Sequence, residues 1–290
     1  MKRLLWAAMA SAMPVPAIAD TLYVSNERGD SVSVIDGATR TVLATWDVGG
    51  RPRGITVSKD GRYVYLCASL DHAVQVIDRA SGKLVAELPS GEDPEQFFLS
   101  RDGGTLFVAN ENDAALTAID LSSRTVAFQV AVGGEPEGVA QSPDERWVAV
   151  TSEEDNVVTW IDLSTRTAAG ETATEMRPRH VEFTADGRQL WIAAEIGGVV
   201  QIADVASRTI TDTLPFEIEG VAAHRILPCG IRFTPDGKRI VLTLNAPGGQ
   251  QIVSLDLQGK NLRKLTASNG INGWPAISPD GQTIVFSSSR

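Results

Sequence analysis

The feature that most constrains this chain is an apolar run ending in aspartate that returns every 42 residues. It reads SVSVID to Asp36, VQVID to Asp78, LTAID to Asp120, VTWID to Asp162 and VQIAD to Asp204. A second marker, the aspartate of a turn preceding an apolar strand, keeps the same step at Asp60, Asp102, Asp144 and Asp186. Two markers in phase, one in five copies and the other in four, define a structural repeat. A period near 40 with four strand-like runs per copy predicts a β-propeller blade.

One repeat shows the reasoning. Between Arg51 and Gly91 the runs GITVS, RYVYLCA, AVQVID and KLVAELP are rich in Val, Ile and Tyr, and Asp60-Gly61, Leu70-Asp71 and Ser81-Gly82 separate them. Such runs read as antiparallel strands joined by tight turns, and no window has a helical period. Four strands cannot bury both faces alone, so each blade must pack on its neighbours around an axis. The expected fold is all-β, a propeller of four-stranded blades. The chain opens with the second, third and fourth strands of a blade and closes, from Trp274 to Arg290, with a first and a second strand. That reading favours seven blades with the last incomplete; six closed blades are the alternative.

At 290 residues and 43% hydrophobic content the chain is long enough for one large repeat domain, assigned to 20–290. Lys plus Arg number 26 against 36 Asp plus Glu, and the net charge of −10 argues against nucleic acid or an anionic membrane as partner. Residues 1–19 carry Lys2 and Arg3, an apolar stretch from Leu4 to Met13, and Ala17-Ile18-Ala19 before Asp20. This is the pattern of a cleaved secretory signal. The apolar run is about half the ~20 residues a membrane span needs. A periplasmic location is expected, with no membrane span and a monomeric state.

Cys67 and Cys229 are the two cysteines. They belong to repeats far apart around the ring, beyond the ~7 Å limit for a bridged Cα pair. Cys67, inside YVYLCA, reads as a small core residue, and Cys229 as an incidental loop thiol. The phase breaks once: from Asp186 to Asp236 the step is 50, with eight extra residues in PFEIEGVAAHRILPCG. A long loop on a rigid scaffold is a candidate functional element, with a tolerated surface insertion as the plain alternative.

The pattern LYVSN, SVSVID and RPRGITVSKDGRYVY, with DPE, EPEG and TSE in successive repeats, resembles the YVTN-type propellers. More narrowly, RPRHVEFTADGRQLWIAAEIGG followed by FEIEGVAAHRILPCGIRFTPDGK is similar to periplasmic propellers associated with pyrroloquinoline quinone-dependent catabolism. That resemblance implies an accessory protein of quinoprotein alcohol oxidation. It covers residues 20 to about 240; beyond it, SLDLQGKNLRKLT and WPAISPDGQTIVFSSSR resemble repeats of the Tol-Pal-type propeller.

Catalytic motifs are missing: there is no Gly-x-Ser-x-Gly, phosphate-binding glycine loop, His-Glu-x-x-His or Cys-x-x-Cys. Three histidines, His72, His180 and His224, are too few for a histidine-rich centre, although His180 or His224 could supply one axial haem ligand. No catalytic residue, metal ligand or cofactor is assigned. What stands out is charge at fixed repeat positions. After the proline that opens each first strand stand Arg53, Glu95, Glu137, Arg179 and then Cys229; before it stand Arg51, Asp93, Glu135, Arg177 and then Leu227. After the second strand come Glu27, Ser69, Glu111, Glu153 and Glu195. Equivalent repeat positions form rings, and these rings fall at one end of the channel. The plain alternative is solvated turn charges, each worth ~0–1 kcal/mol.

The candidate binding set is Arg53, Glu95, Glu137, Arg179, Glu111, Glu153 and Glu195, with His224 and Arg225 of the insertion. The expected function is a non-enzymatic binding or accessory propeller holding a periplasmic protein or small polar ligand. The alternative is a lactonase-type hydrolase with an axial Ca²⁺ held by Glu27, Glu111, Glu153 and Asn110, which Arg53 and Arg179 in the adjacent ring would oppose. Within the channel wall, Glu182 and Arg232 of adjacent repeats are expected to pair, because a lone charge in a narrow channel is costly.

Overall fold

The computed structural model describes residues 21–267 and 269–288; the leader predicted at 1–19 lies outside them. Blade one, 21–47, has three strands. Blades two to six, at 52–89, 94–131, 136–173, 178–215 and 229–264, have four each. The fold is therefore the expected all-β ring of four-stranded blades, with the alternative count of six rather than the favoured seven. The difference lies at the C-terminal end. Asn272–Ile277 and Ile284–Ser288 pair as a two-stranded sheet, to which no further strand is added among the described residues.

In blade two, Pro52–Val57, Tyr63–Ala68, Ala73–Asp78 and Lys83–Pro89 run antiparallel in sequence order. The middle strands, YVYLCA and AVQVID, are almost wholly buried, whereas KLVAELP is mostly exposed. Neighbouring blades cover both faces of the middle strands, which is why they are continuously apolar rather than alternating. The core is accordingly a series of layers between blades. Cys67 and Val74 of blade two pack with Leu106, Val108 and Ile119 of blade three. Trp147 and Trp160 of blade four pack with Phe183 and Leu190 of blade five. Cys67 is fully buried, as its strand position predicts. Cys229 corrects its expectation: it opens the strand Cys229–Phe233 and is buried. Pro228 leads into that strand as Pro52 does, so Cys229 takes the place of Arg53 in its repeat.

The repeating aspartates are turn caps. Asp120 Oδ1 accepts from the amides of Ser122 and Ser123 at 2.9 and 2.8 Å and from both hydroxyls, and Asp36, Asp78, Asp162 and Asp204 do likewise. At the neighbouring turns Asp60, Asp102, Asp144 and Asp186 accept from Ser58, Ser100, Ser142 and Thr184. All these turns join first to second or third to fourth strands, so they share the end of the ring opposite the charged columns. The insertion also has a structural role. Phe216 and Ile226 are buried in the layer between blades five and six. The Ile226 and Arg225 carbonyls accept from the Asn245 amide at 2.6 Å and its Nδ2 at 2.8 Å. Asn245 belongs to a hairpin whose two strands, Arg239–Ala246 and Gly249–Asp256, are eight residues each against six for the middle strands elsewhere. The extra loop clasps the longer hairpin.

Candidate functional site

Three backbone features recur at the mouth and aim the charged columns inward. First, the residue before each lead-in proline is left-handed: Arg51, Asp93, Glu135 and Arg177 have φ of 53°, 55°, 47° and 59°. Such a conformation costs about 1 kcal/mol or more outside glycine and turns the chain sharply toward the axis. Second, the register slips directly after that proline. Pro52 faces Ala68 while Ile55 faces Leu66, and the same shift follows Pro94, Pro136 and Pro178. Bulges re-aim side chains, and these release Arg53, Glu95, Glu137 and Arg179 from strand alternation. Third, the turn carbonyl accepts the amide that follows the second strand: Glu111 to Asp93 at 2.9 Å, Glu153 to Glu135 at 3.0 Å and Glu195 to Arg177 at 2.8 Å. Three columns distant in sequence thus meet.

They enclose a cavity of about 230 Å³ lined by four arginines, Arg51, Arg53, Arg177 and Arg179, and by Glu95, Glu111, Glu135, Glu137 and Glu153. The charges are paired across blades. Arg51 bonds both Asp93 oxygens at 3.1 and 3.2 Å and stands 3.1 Å from Glu95. Arg53 pairs with Glu95 and, at 3.1 Å, with Glu27. Arg179 grips Glu137 with Nε and Nη2 at 2.7 and 3.0 Å and lies 2.7 Å from Glu153 and 3.6 Å from Glu195. Arg177 donates to Glu153 at 2.6 Å. Solvated turn charges do not describe this ring, since Glu95, Glu137 and Glu153 are 2%, 3% and 7% exposed. The pairs between blades also help to hold the ring together.

Acids outnumber arginines, and they crowd one another. Burial pushes the Glu95 carboxyl up to about 8; Arg53 works against that, while Glu111 and Glu137 reinforce it. Burial, then Glu137, raises Glu153 to about 7. Burial works against the charge of Arg179, but the surrounding carboxylates outweigh it and hold the guanidinium firmly protonated.

Of the candidate residues, Arg53, Glu95, Glu137, Arg179, Glu111 and Glu153 line the cavity, and Glu195 pairs with two of its arginines. His224 and Arg225 do not line it; they lie on the short 3-10 turn Ala223–Arg225, exposed on the insertion. Asn110, offered as a Ca²⁺ ligand, is fully buried within its blade, donating to Thr117 at 2.8 Å and accepting from Ser90 at 2.5 Å. Asp93, Glu95 and Glu111 do bring carboxylate oxygens within 4.8 Å of one another, but the Arg51 guanidinium contacts two of the three. His180 is buried with its Nε2 2.5 Å from Arg232 Nη1, and the Arg232 guanidinium also stands 3.4 Å from Glu182, the pair expected in the channel wall. Burial and that guanidinium push His180 well below its usual range. His72 Nδ1 accepts the Asp93 amide at 3.1 Å, latching one blade to the next.

Trp274 is the mouth residue that sequence reasoning overlooked. It stands before Pro275 in the column of Arg51, has φ 55°, is 38% exposed and places its ring 5.7 Å from the Arg179 guanidinium. Its column position was the available signal.

Among solved structures the chain is similar to a chain of Kuenenia stuttgartiensis hydrazine synthase, at 22% identity and a TM-score of 0.71, over 81% of this chain and 73% of that one. That likeness is one of propeller fold. No family model matches the chain.

Proposed function

We propose that this chain is an exported, non-enzymatic binding propeller whose channel mouth holds a small polar ligand or a partner protein. The observation that carries this is the cavity at the mouth, where Glu95, Glu137 and Glu153 of successive blades are buried around a space of about 230 Å³. Folding by itself asks only for apolar middle strands and capped turns. Charged, bulge-aimed side chains around a void suit recognition by electrostatic complementarity. The remaining chemistry supports binding over turnover. Burial raises the Cys67 thiol and pushes that of Cys229 up to about 12, away from the reactive thiolate. His180, held neutral against Arg232, has no hydroxyl or thiol nucleophile among its hydrogen-bond partners.

The resemblance of the repeats to pyrroloquinoline quinone-associated propellers supports a proposed role as an accessory, rather than a catalyst, of a periplasmic quinoprotein alcohol oxidase. The test is capture from periplasmic extract by the immobilised protein, comparing wild type with a Glu95→Gln, Glu137→Gln, Glu153→Gln variant. Capture by wild type alone, with matched circular dichroism, supports the mouth as the site. Equal capture by both moves the site elsewhere. The metal-hydrolase alternative rests on the Asp93, Glu95 and Glu111 cluster; one Ca²⁺ per chain by elemental analysis, together with lactone hydrolysis, would favour it over the binding reading.

A further inference from the structure

Resting on the mouth as the binding site, the arrangement of its carboxyls narrows the ligand's chemistry. Glu95, Glu111, Glu135, Glu137 and Glu153 come from two adjacent blades and form one arc of the cavity wall. Arg51 and Arg53 stand beside Glu95, Arg177 and Arg179 beside Glu153, and Glu137 between them is held by Arg179 at 2.7 Å with Arg53 3.9 Å away. Acid also meets acid. Glu95 faces Glu111, and Glu153 faces Glu137, and this crowding of like charge adds to burial in raising Glu95 and Glu153. No protein donor meets either Glu95 oxygen, or Oε1 of Glu153, with the geometry of a hydrogen bond, although the arginines are close enough to pair as ions. A buried carboxylate lacking donors is costly. With five glutamates lining the cavity against four arginines, the arc is short of positive charge, and these three buried oxygens have room for a better-aligned donor.

We propose that the cavity binds a small organic cation through a guanidinium or primary ammonium group seated between the Glu95–Glu111 and Glu137–Glu153 pairs. The volume of about 230 Å³ is below the roughly 300 Å³ at which drug-sized pockets begin and suits a group the size of an arginine side chain. An N–H cation fits better than a metal ion, because Arg51 already occupies the approach to Asp93 and Glu95 with the same kind of donor fork.

Binding should expel protons. Glu95 faces Arg51 and Arg53 from blade two, Glu111 from its own blade and Glu137 from blade four; Glu153 faces Glu137, Arg177, Arg179 and Glu195. Cys67 and Cys229, the nearby thiols, have raised values and stay protonated near neutral pH. With Glu95 at about 8 and Glu153 at about 7, a seated cation drives both toward ionisation. Affinity should accordingly rise with pH until both are ionised in the free protein.

The experiment is titration calorimetry of the full chain at about pH 6 and pH 9, in buffers of differing ionisation heat, with agmatine, 1,4-diaminobutane, malonate and calcium chloride as probes. The expected result is one site for the two organic cations, roughly tenfold or more tighter at the higher pH. Protons should be released on binding at pH 6, and binding should be lost in Glu95→Gln, Glu153→Gln with the melting temperature held or raised. Unchanged cation binding in that variant, or tighter Ca²⁺ binding, overturns the proposal. Malonate binding in place of the cations overturns the ligand class and leaves the mouth standing. If no probe binds, the cation proposal fails alone, because the capture experiment judges the mouth independently.

Discussion

At the end of the ring away from the mouth, Asp120 lies in solvent and accepts four hydrogen bonds from Ser122 and Ser123, which hold its carboxyl down at about 2. At the mouth, Glu95 is buried among other acids, which holds it up at about 8. Both residues sit at fixed positions of the same 42-residue repeat, but the Asp120 column is aspartate from Asp36 to Asp204 while the Glu95 column changes between arginine and glutamate. What separates them is where their donors come from. A turn aspartate is surrounded by its own loop's amides and hydroxyls, so its charge is satisfied locally whatever the neighbouring blades do. A mouth glutamate is aimed off its strand by a bulge and depends on arginines two to four strands away. Local satisfaction makes structure; dependence on distant groups leaves chemistry open for a ligand.

The largest expected effect breaks the mouth side of this comparison. Arg179→Glu places a third carboxylate against Glu137 and Glu153, and removing a buried partner alone costs about 3–5 kcal/mol. Urea unfolding should show a loss of at least that order, with Arg179→Met losing less. An unchanged midpoint would mean that the ring does not tie blades together.

A second prediction concerns pH. Glu95 and Glu153 have folded-state values raised above the ordinary 4.5, so their contribution is fully present below about 4.5 and is lost as pH rises through about 7 and 8. Stability measured between about pH 6 and pH 9 should fall, on the order of 2 kcal/mol, and Glu95→Gln should flatten that slope. Asp120 has the opposite sign. Its lowered value supplies stability above about pH 4 that is lost as pH falls toward 2, so Asp120→Asn should leave the alkaline limb untouched and shift only the acid limb.

A smaller effect lies in the channel wall. Arg232→Met leaves Glu182 without its ion pair and frees His180 Nε2. The Met variant should lose about 1–3 kcal/mol, and the His180 ring should titrate at higher pH by NMR once the neighbouring positive charge is gone.

The fold was legible because its signal is periodic. Asp36 through Asp204 mark third-strand ends that must turn, and a turn needs the same caps in every blade. The grouping of the mouth columns was legible for the same reason. Their burial was not, because a left-handed residue before proline and a one-residue register slip leave little trace in composition. Arg51 and Glu135 occupy that left-handed position although no sequence rule favours them there. Cys229 was read as a loop thiol although its column aligns it with Arg53 at a strand start, and Trp274 was missed because only its alignment with Arg51 identifies it. The blade count falls to the alternative of six rather than the favoured seven because, among the described residues, the C-terminal repeat forms a two-stranded sheet and not a full blade.

The central claim is that Glu95 and Glu153 at the mouth are held toward the protonated state while Asp120 at the far end is held ionised. Carbon-13 NMR titration of the glutamate and aspartate side-chain carboxyls, assigned through Glu95→Gln, Glu153→Gln and Asp120→Asn, tests it directly. The account predicts mouth carboxyls titrating at about 8 and 7 and a turn aspartate at about 2. If the glutamates at the mouth all titrate below about 5, near the ordinary carboxylate range, the account is contradicted.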